Sequence, residues 1–463
     1  MNKLVFLFLS FSFCGFAQQF TLKKGSVIDE VTVNDSINES FSLYLPTDFD
    51  MTKEWPVVLV FDMQGRGKQV VSMFREAAEQ EGYILAASNN VQDTLALSKN
   101  VLISSRMLNQ VYAILPIKRT RIYTGGFAAG ARMASILPTF IKEIKGVISC
   151  GSALANGEVL SSKRPFHFIG IVGREDYNYR TMLSSRKLLD NLKFPNQLLV
   201  FEGGVEWPKP AYLKKAMRIF TLAAMSKGEE PRDEQLIAAS YLESLGDASA
   251  YVTANKPLMA QELLMETMRV YRSFRDIDSL KSSLKTLRKT KLFKNYTRSQ
   301  NAAFFKENLI KDDYVYYLEE DVLSYNYNNL GWWKFQMEEL TKYEKTKNIF
   351  EREMAARLKS FLNALIADNI DAVNAASIVD QEALIFLWMV NTVTDPKNPK
   401  PYLKVISKSS RFEDFGTALF YLEELLKTGF TDKKSIYELE NTALFRITPQ
   451  FNALIKRYFK DVP

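Results

Sequence analysis

The hydrophobic pattern of this chain changes period once, and that change limits what each half can fold into. From residue 18 to about residue 229, short apolar runs alternate with longer amphipathic segments. The runs are 56–61, 83–87, 121–124, 146–150, 166–172 and 197–202. They are shorter than a helix needs and apolar at consecutive positions, as expected of strands buried on both faces. Segments 68–81, 101–115, 179–192 and 209–225 lie between or after them with apolar residues at helical spacing. Such alternation predicts an α/β architecture, a mostly parallel sheet with helices on its faces. Ahead of it, 26–33 and 39–46 read as a hairpin around Asn34-Asp35-Ser36-Ile37-Asn38, placing an antiparallel pair at one edge.

The pattern changes near Ser226-Lys227-Gly228-Glu229-Glu230-Pro231, a polar Gly/Pro-bearing stretch that we read as a domain boundary. The expected organisation is a leader at 1–17, an α/β domain at 18–229 and an all-α domain at 230–463. Beyond the boundary, apolar residues recur at spacings of three and four. Ala260, Leu264, Met268 and Tyr271 mark one helix, and Leu280, Leu284 and Leu287 the next. Phe361, Leu362, Leu365 and Ile366 lie on a third, and Ala418, Leu422, Leu425 and Leu426 on a late one that ends at Gly429. Paired helices of this kind predict either a tetratricopeptide-like array or an irregular helical domain. Tyr314, Tyr316, Tyr317, Trp332 and Trp333 are expected to pack between helices.

The first 17 residues have the form of a secretory signal. Lys3 gives the positive start, 4–13 the apolar stretch, and Gly15 and Ala17 the small residues before a cleavage site. Export to the periplasm, the outer membrane or the cell surface follows as an expectation. Phe13 beside Cys14 is bulky for a lipoprotein site. Only Cys150 remains after cleavage, so no internal disulfide can form; it reads as a buried core thiol. No later stretch has the apolar length of a membrane helix. The net charge of +7 on 463 residues is spread over interspersed lysines and glutamates. Nucleic-acid binding would need a concentrated basic face. No His/Cys/carboxylate cluster has ligand spacing, so neither a metal nor a cofactor is expected.

One motif carries the chemistry. Gly126-Phe127-Ala128-Ala129-Gly130 joins a strand to a helix and has the frame G-x-S-x-G with Ala128 at the serine position. The glycines let the chain turn sharply, so that a central nucleophile is exposed. With this elbow stand Phe41-Ser42-Leu43-Tyr44-Leu45-Pro46, the run 57–62, Gly173-Arg174-Glu175-Asp176 and the segment 201–208. Through these, residues 40–226 resemble the α/β-hydrolase superfamily. They are most similar to the secreted esterases that include polyhydroxybutyrate depolymerases and feruloyl esterases. The resemblance places the nucleophile slot at Ala128, the acid at Asp176 and the histidine at Val205. Alanine has no lone pair with which to attack a carbonyl, and valine cannot carry a proton. Asp176 alone can only orient an imidazole that is missing.

No substitute is evident. The single histidine, His167, stands at the start of its strand, about 16 Å from the end where such active sites lie. Ser152 follows a strand end but has no base. Relatives often carry His-Gly in the oxyanion segment, where this chain has Asp62-Met63-Gln64-Gly65-Arg66-Gly67. Asp62 there either opposes an oxyanion or is occupied in capping a helix or pairing with Arg66. The expectation is a non-catalytic hydrolase-like protein that binds envelope partners through its helical domain. Gln64, Phe127, Ala128, Ser152, Asp176, Val205 and Trp207 are the candidate lining of a vacated ligand pocket. The alternatives are an esterase with displaced catalytic groups and a sugar- or lipid-binding protein.

Overall fold

A computed structural model describes residues 23–34, 37–158 and 160–459. The expected signal sequence, Cys14 and the hairpin residues Asp35 and Ser36 lie outside these residues. The strands are β1 (Val27–Asn34), β2 (Ile37–Tyr44), β3 (Trp55–Phe61), β4 (Ile84–Ser88), β5 (Ile117–Phe127), β6 (Ile144–Cys150), β7 (His167–Gly173) and β8 (Asn196–Phe201). Among them run α1 (Gly67–Glu81), α2 (Leu97–Ile114), α3 (Ala129–Phe140), α4 (Tyr179–Asn191) and α5 (Pro210–Ser226). The sheet order is β1-β2-β4-β3-β5-β6-β7-β8. β1 and β2 pair antiparallel at the edge, as do β2 and β4, whereas β3 pairs parallel with both β4 and β5. This is the mostly parallel, helix-flanked sheet expected from the alternation, in the strand order of the α/β-hydrolase fold that the resemblance implies.

Most strands start and stop within two residues of the apolar runs, because burial on both faces is what made those runs visible. Every residue of β3 and of β7 is buried. The exception is β5. Its apolar signal covers 121–124, yet the strand begins at Ile117, which pairs with Trp55. Lys118, Arg119 and Thr120 carry that extension without any hydrophobic signature.

The chain divides into two compact units, one of 1–148 with 209–221, the other of 149–208 with 222–463. In the first, Tyr123 stacks on Phe220 of α5 with ring centroids 4.1 Å apart. The Tyr83 hydroxyl donates to the Met217 carbonyl at 2.9 Å, and Arg121 Nη2 donates to that hydroxyl at 2.7 Å.

In the second unit β7 and β8 pair in parallel. The helices that follow are α6 (Glu234–Thr253), α7 (Pro257–Tyr271), α8 (Asp278–Lys289), α9 (Lys291–Ser324), α10 (Leu330–Glu344) and α11 (Ile349–Ala375). After them come α12 (Gln381–Thr394), α13 (Pro399–Arg411), α14 (Phe415–Lys427), α15 (Lys433–Tyr437), α16 (Ala443–Arg446) and α17 (Pro449–Tyr458). No strand follows β8 among the described residues. The helix starts are written locally. Asp233, Thr290, Asn348, Asp380, Asn398, Asp414 and Thr448 each accept a backbone N–H from the first turn that follows. The aromatic residues singled out above divide by exposure. Tyr314 and Trp333 are fully buried, and Trp333 Nε1 donates to Asp321 at 2.9 Å. Tyr316 and Tyr317 are exposed.

Candidate functional site

In the first unit, β5 ends at Phe127 and α3 begins at Ala129, so the whole reversal falls on Ala128. Its φ of 49° and ψ of −116° lie in a region that L-residues avoid. The flanking glycines are a steric necessity. A Cβ on Gly126 would sit 2.5 Å from the Gly130 carbonyl carbon, and one on Gly130 would sit 2.0 Å from the Phe61 carbonyl oxygen. The sharp strand-to-helix turn is therefore built in full, around a methyl group. Phe127 and Ala128 are both part-exposed.

Nothing about alanine requires this conformation. Ala128→Gly should raise the stability of the first unit by about 1 kcal/mol, since the relieved strain of ~1–3 kcal/mol exceeds the added entropy of an unfolded glycine. Its thermal midpoint should rise by a few degrees. An unchanged or lower midpoint would mean that the turn is not strained.

The loop of Asp62 to Arg66, where the resemblance implies an oxyanion segment, follows β3. Asp62 pairs with Arg66 in a fork, with Nη2 2.7 Å from Oδ2 and Nε 3.2 Å from it. Asp62 Oδ1 also accepts from the Gln64 amide at 2.8 Å. The carboxylate is thus neutralised within its own loop; α1 begins beyond Arg66 without a side-chain cap. Gly65 adopts a φ of 68°, and Gln64 is exposed, bridged to Gln92 through the backbone.

The second unit holds the other candidates. Ser152 is buried, and its hydroxyl is directed to the Ala153 carbonyl at 3.3 Å. The turn after β7 is pressed against the turn after β8. Arg174 N donates to the Phe201 carbonyl and Glu175 N to the Gly203 carbonyl, both at 2.9 Å. A Cβ on Gly173 would lie 2.3 Å from the Gly203 oxygen, so this contact requires glycine. The segments that carry Asp176 and Val205 are thereby brought side by side.

Asp176 is 1% exposed. Burial raises its carboxyl to about 6, against the Asn178 amide and the Lys311 ammonium, which favour the charged form. The Asn178 amide donates to its Oδ1 at 2.8 Å, and Asn178 Nδ2 reaches the Gly151 carbonyl at 2.9 Å. Val205 is 44% exposed and Trp207 is half-buried. His167 is the first residue of β7, buried and hydrogen-bonded to Gln197, at the opposite end of the strand from Gly173. Burial lowers its imidazole to about 4, so it is neutral at physiological pH.

One constellation had no counterpart in the sequence reading. Arg174, two residues before Asp176, sends Nε and Nη2 to the two oxygens of Glu353 at 2.7 and 2.9 Å. Arg357, one turn further along α11, donates Nη1 to the Arg174 carbonyl at 2.7 Å. Its Nε and Nη2 both reach Glu307 Oε2, at 3.0 and 2.7 Å. Lys311 Nζ stands 3.3 Å from the other Glu307 oxygen. Arg174, Glu353, Arg357 and Glu307 are all buried. The acid turn is thus clamped by α9 and α11. The available signal was Glu353/Arg357 and Glu307/Lys311, two oppositely charged pairs at spacing four on helix faces that also carry core residues.

Among the described residues no group of three His, Cys, Asp or Glu could hold a metal ion, and no helix is long and apolar enough to cross a membrane.

No protein-family model matches the chain, and no curated protein matches it significantly. Solved structures do. Esterase B from Lactobacillus rhamnosis matches at 13% identity and a TM-score of 0.37, over 44% of this chain and 89% of its own. A hyperthermophilic esterase from Pyrobaculum calidifontis matches at 10% identity and a TM-score of 0.37, over 44% and 87%. A candidate dipeptidyl aminopeptidase IV from Bacteroides ovatus matches at 13% identity and a TM-score of 0.35, over 42% of this chain but only 35% of its own length.

Proposed function

We propose that the chain is a non-catalytic hydrolase-fold protein, a binding or scaffold subunit of a cell-envelope complex. The observation that carries this reading is Ala128, which occupies a nucleophile's strained turn with no nucleophilic atom. Val205 supplies no base, and Asp176 is buried with its acidity weakened. In a working site the acid's partner would be an imidazolium that stabilises its charge. The neighbouring Arg174 is committed to Glu353, which suits a turn now used to hold a helix. The partner surface we favour is helical. Phe305, Leu309, Tyr316 and Leu323 are exposed along α9 at spacings of four and seven. A tetratricopeptide-like use of stacked helices would present such a surface.

The test is turnover. Purified protein should hydrolyse p-nitrophenyl butyrate no faster than a heat-treated control. Ala128→Ser alone should change nothing, because a triad acts as a unit. Ala128→Ser with Val205→His should give weak activity. Robust turnover by the unmodified protein, abolished by Ser152→Ala, would favour the alternative, an esterase with displaced groups. Partner capture is best done on the full-length chain. A fragment starting at 231 would leave Glu353 buried without Arg174.

A further inference from the structure

The helix α13 has two dissimilar faces. Tyr402, Val405, Ile406, Ser409 and Ser410 are buried in the core it shares with α12 and α14. Lys400, Lys404, Lys408 and Arg411 recur at spacings of four, four and three. At 100° per residue they fall within an arc of about 80°, along ~16 Å of helix axis. The helix contains no carboxylate to answer them. Lys400, Lys404 and Arg411 are exposed, and no carboxylate pairs with them among the described residues. Lys408 Nζ donates to Gln381 Oε1 at 2.8 Å, a neutral partner. Partial burial first, and then Arg411 and Lys404, hold the Lys408 ammonium below the usual lysine range, against a pull from Glu440. The four cations therefore repel one another on one face, which costs stability unless a counter-charge comes from outside.

Two exposed apolar side chains stand near this face, one following it in the chain and one three residues before Gln381, which Lys408 touches. Phe412, directly after Arg411, is 51% exposed. Ile378, in the turn before α12 and three residues from the Lys408 partner Gln381, is 87% exposed. Cations above with apolar side chains at the rim match a surface whose negative layer lies over hydrocarbon. A nucleic acid would ask instead for stacked aromatic platforms, and only Phe412 is available.

We propose that the α13 face, rimmed by Phe412 and Ile378, docks on anionic phospholipid headgroups. The lysines and Arg411 engage the phosphates, and the two apolar side chains enter the headgroup–acyl boundary. This rests on residues distinct from the elbow and is independent of whether the protein is catalytic.

The experiment is vesicle flotation with the full-length chain. Vesicles of equal parts phosphatidylglycerol and phosphatidylcholine should bind it, and vesicles of phosphatidylcholine alone should not. High salt should weaken binding. The triple change Lys400→Gln, Lys404→Gln and Arg411→Gln should weaken it about 100-fold, at roughly fivefold per cation. Its thermal midpoint should be unchanged or raised, since repulsion is relieved, so the loss is not unfolding. Lys285→Gln, Lys289→Gln and Lys294→Gln remove the same charge from α8 and α9 and should leave binding within about twofold. Phe412→Ser with Ile378→Ser should make the remaining binding fully reversible by salt. The proposal is overturned if wild-type protein ignores the anionic vesicles, if it binds both compositions equally, or if the α8/α9 control loses as much as the α13 variant. Capture of soluble polyphosphate without vesicle binding would overturn it equally.

Discussion

Arg357→Ala should destabilise the second unit by about 3–5 kcal/mol, the cost of stripping a buried carboxylate of its partner. Arg357 is 1% exposed and Glu307 fully buried. Two guanidinium nitrogens satisfy Glu307 Oε2, and only the Lys311 contact at 3.3 Å would remain. The Arg174 carbonyl would also lose its donor. Lysine should not rescue, because one ammonium cannot serve both the carboxylate and the carbonyl in this fork geometry. Changing Arg357→Met and Glu307→Leu together should recover most of the loss, since desolvation nearly cancels the attraction within a buried pair. Denaturant unfolding measures all four states. A loss below ~1 kcal/mol in the single variant would mean that water already reaches the pair. Amide exchange at Asp176 and Asn178 should accelerate in Arg357→Ala, because the clamp on that turn is released.

The stability of the second unit should fall as pH rises from about 6.5 to 8, the reverse of a protein held by ordinary surface carboxylates. The cause is Glu266 of α7. It is 3% exposed, no side chain hydrogen-bonds either carboxylate oxygen, and Arg186 Nη1 stands 3.6 Å from one of them; the nearby Leu198 backbone amide favours the charged form only slightly. Burial raises its carboxyl to about 8, against the pull of Arg269 and Arg186. A carboxyl with a raised pKa in the fold takes up a proton on folding at any pH between its unfolded value, 4.5, and about 8. Stability is therefore lost across that window as pH rises, by about 4–5 kcal/mol at most. Two other groups act lower down and oppose each other. Asp176, raised from 3.8 to about 6, acts in the same sense as Glu266. His167, lowered from 6.5 to about 4, acts in the opposite sense, since its neutral form is the folded one. Both contributions fade between about pH 6.5 and 7.5, where they largely cancel, and Glu175, also raised by burial, acts in the same sense as Glu266. Glu266→Gln should flatten the profile between 6.5 and 8 and should be the more stable protein at pH 8. A profile that is already flat in the wild type would show that Glu266 is solvated or paired.

How much was legible beforehand varies by element. β3, β7 and β8 could be read because each is a run of apolar residues, and α1 and α4 because their apolar residues repeat with the helical turn. Lys118, Arg119 and Thr120 of β5 were invisible, since a strand segment with polar side chains is recognised by its neighbour rather than by its own composition. The elbow was legible from two glycines and an alanine, but not its energetic state. Only coordinates show that Ala128 keeps a strained φ and ψ.

Residue identity alone determined which atoms stand at two positions and how the elements run. Ala128 carries no nucleophilic atom and Val205 no ionisable one, and no fold can supply them in place. Strand and helix order followed from short unbroken apolar runs and from apolar repeats at the helical period of about 3.6, which are local properties. The tertiary structure decided which charges meet. Arg174 and Glu353 are 179 residues apart, and neither reads as more than a surface charge until α11 is packed beside the turn after β7. Packing likewise buries Asp176, and Glu266 of α7 where α7 lies against β8, and so sets their acidity. Desolvation and ion pairing depend on distance in space, and distance in space is not encoded in any period of the sequence.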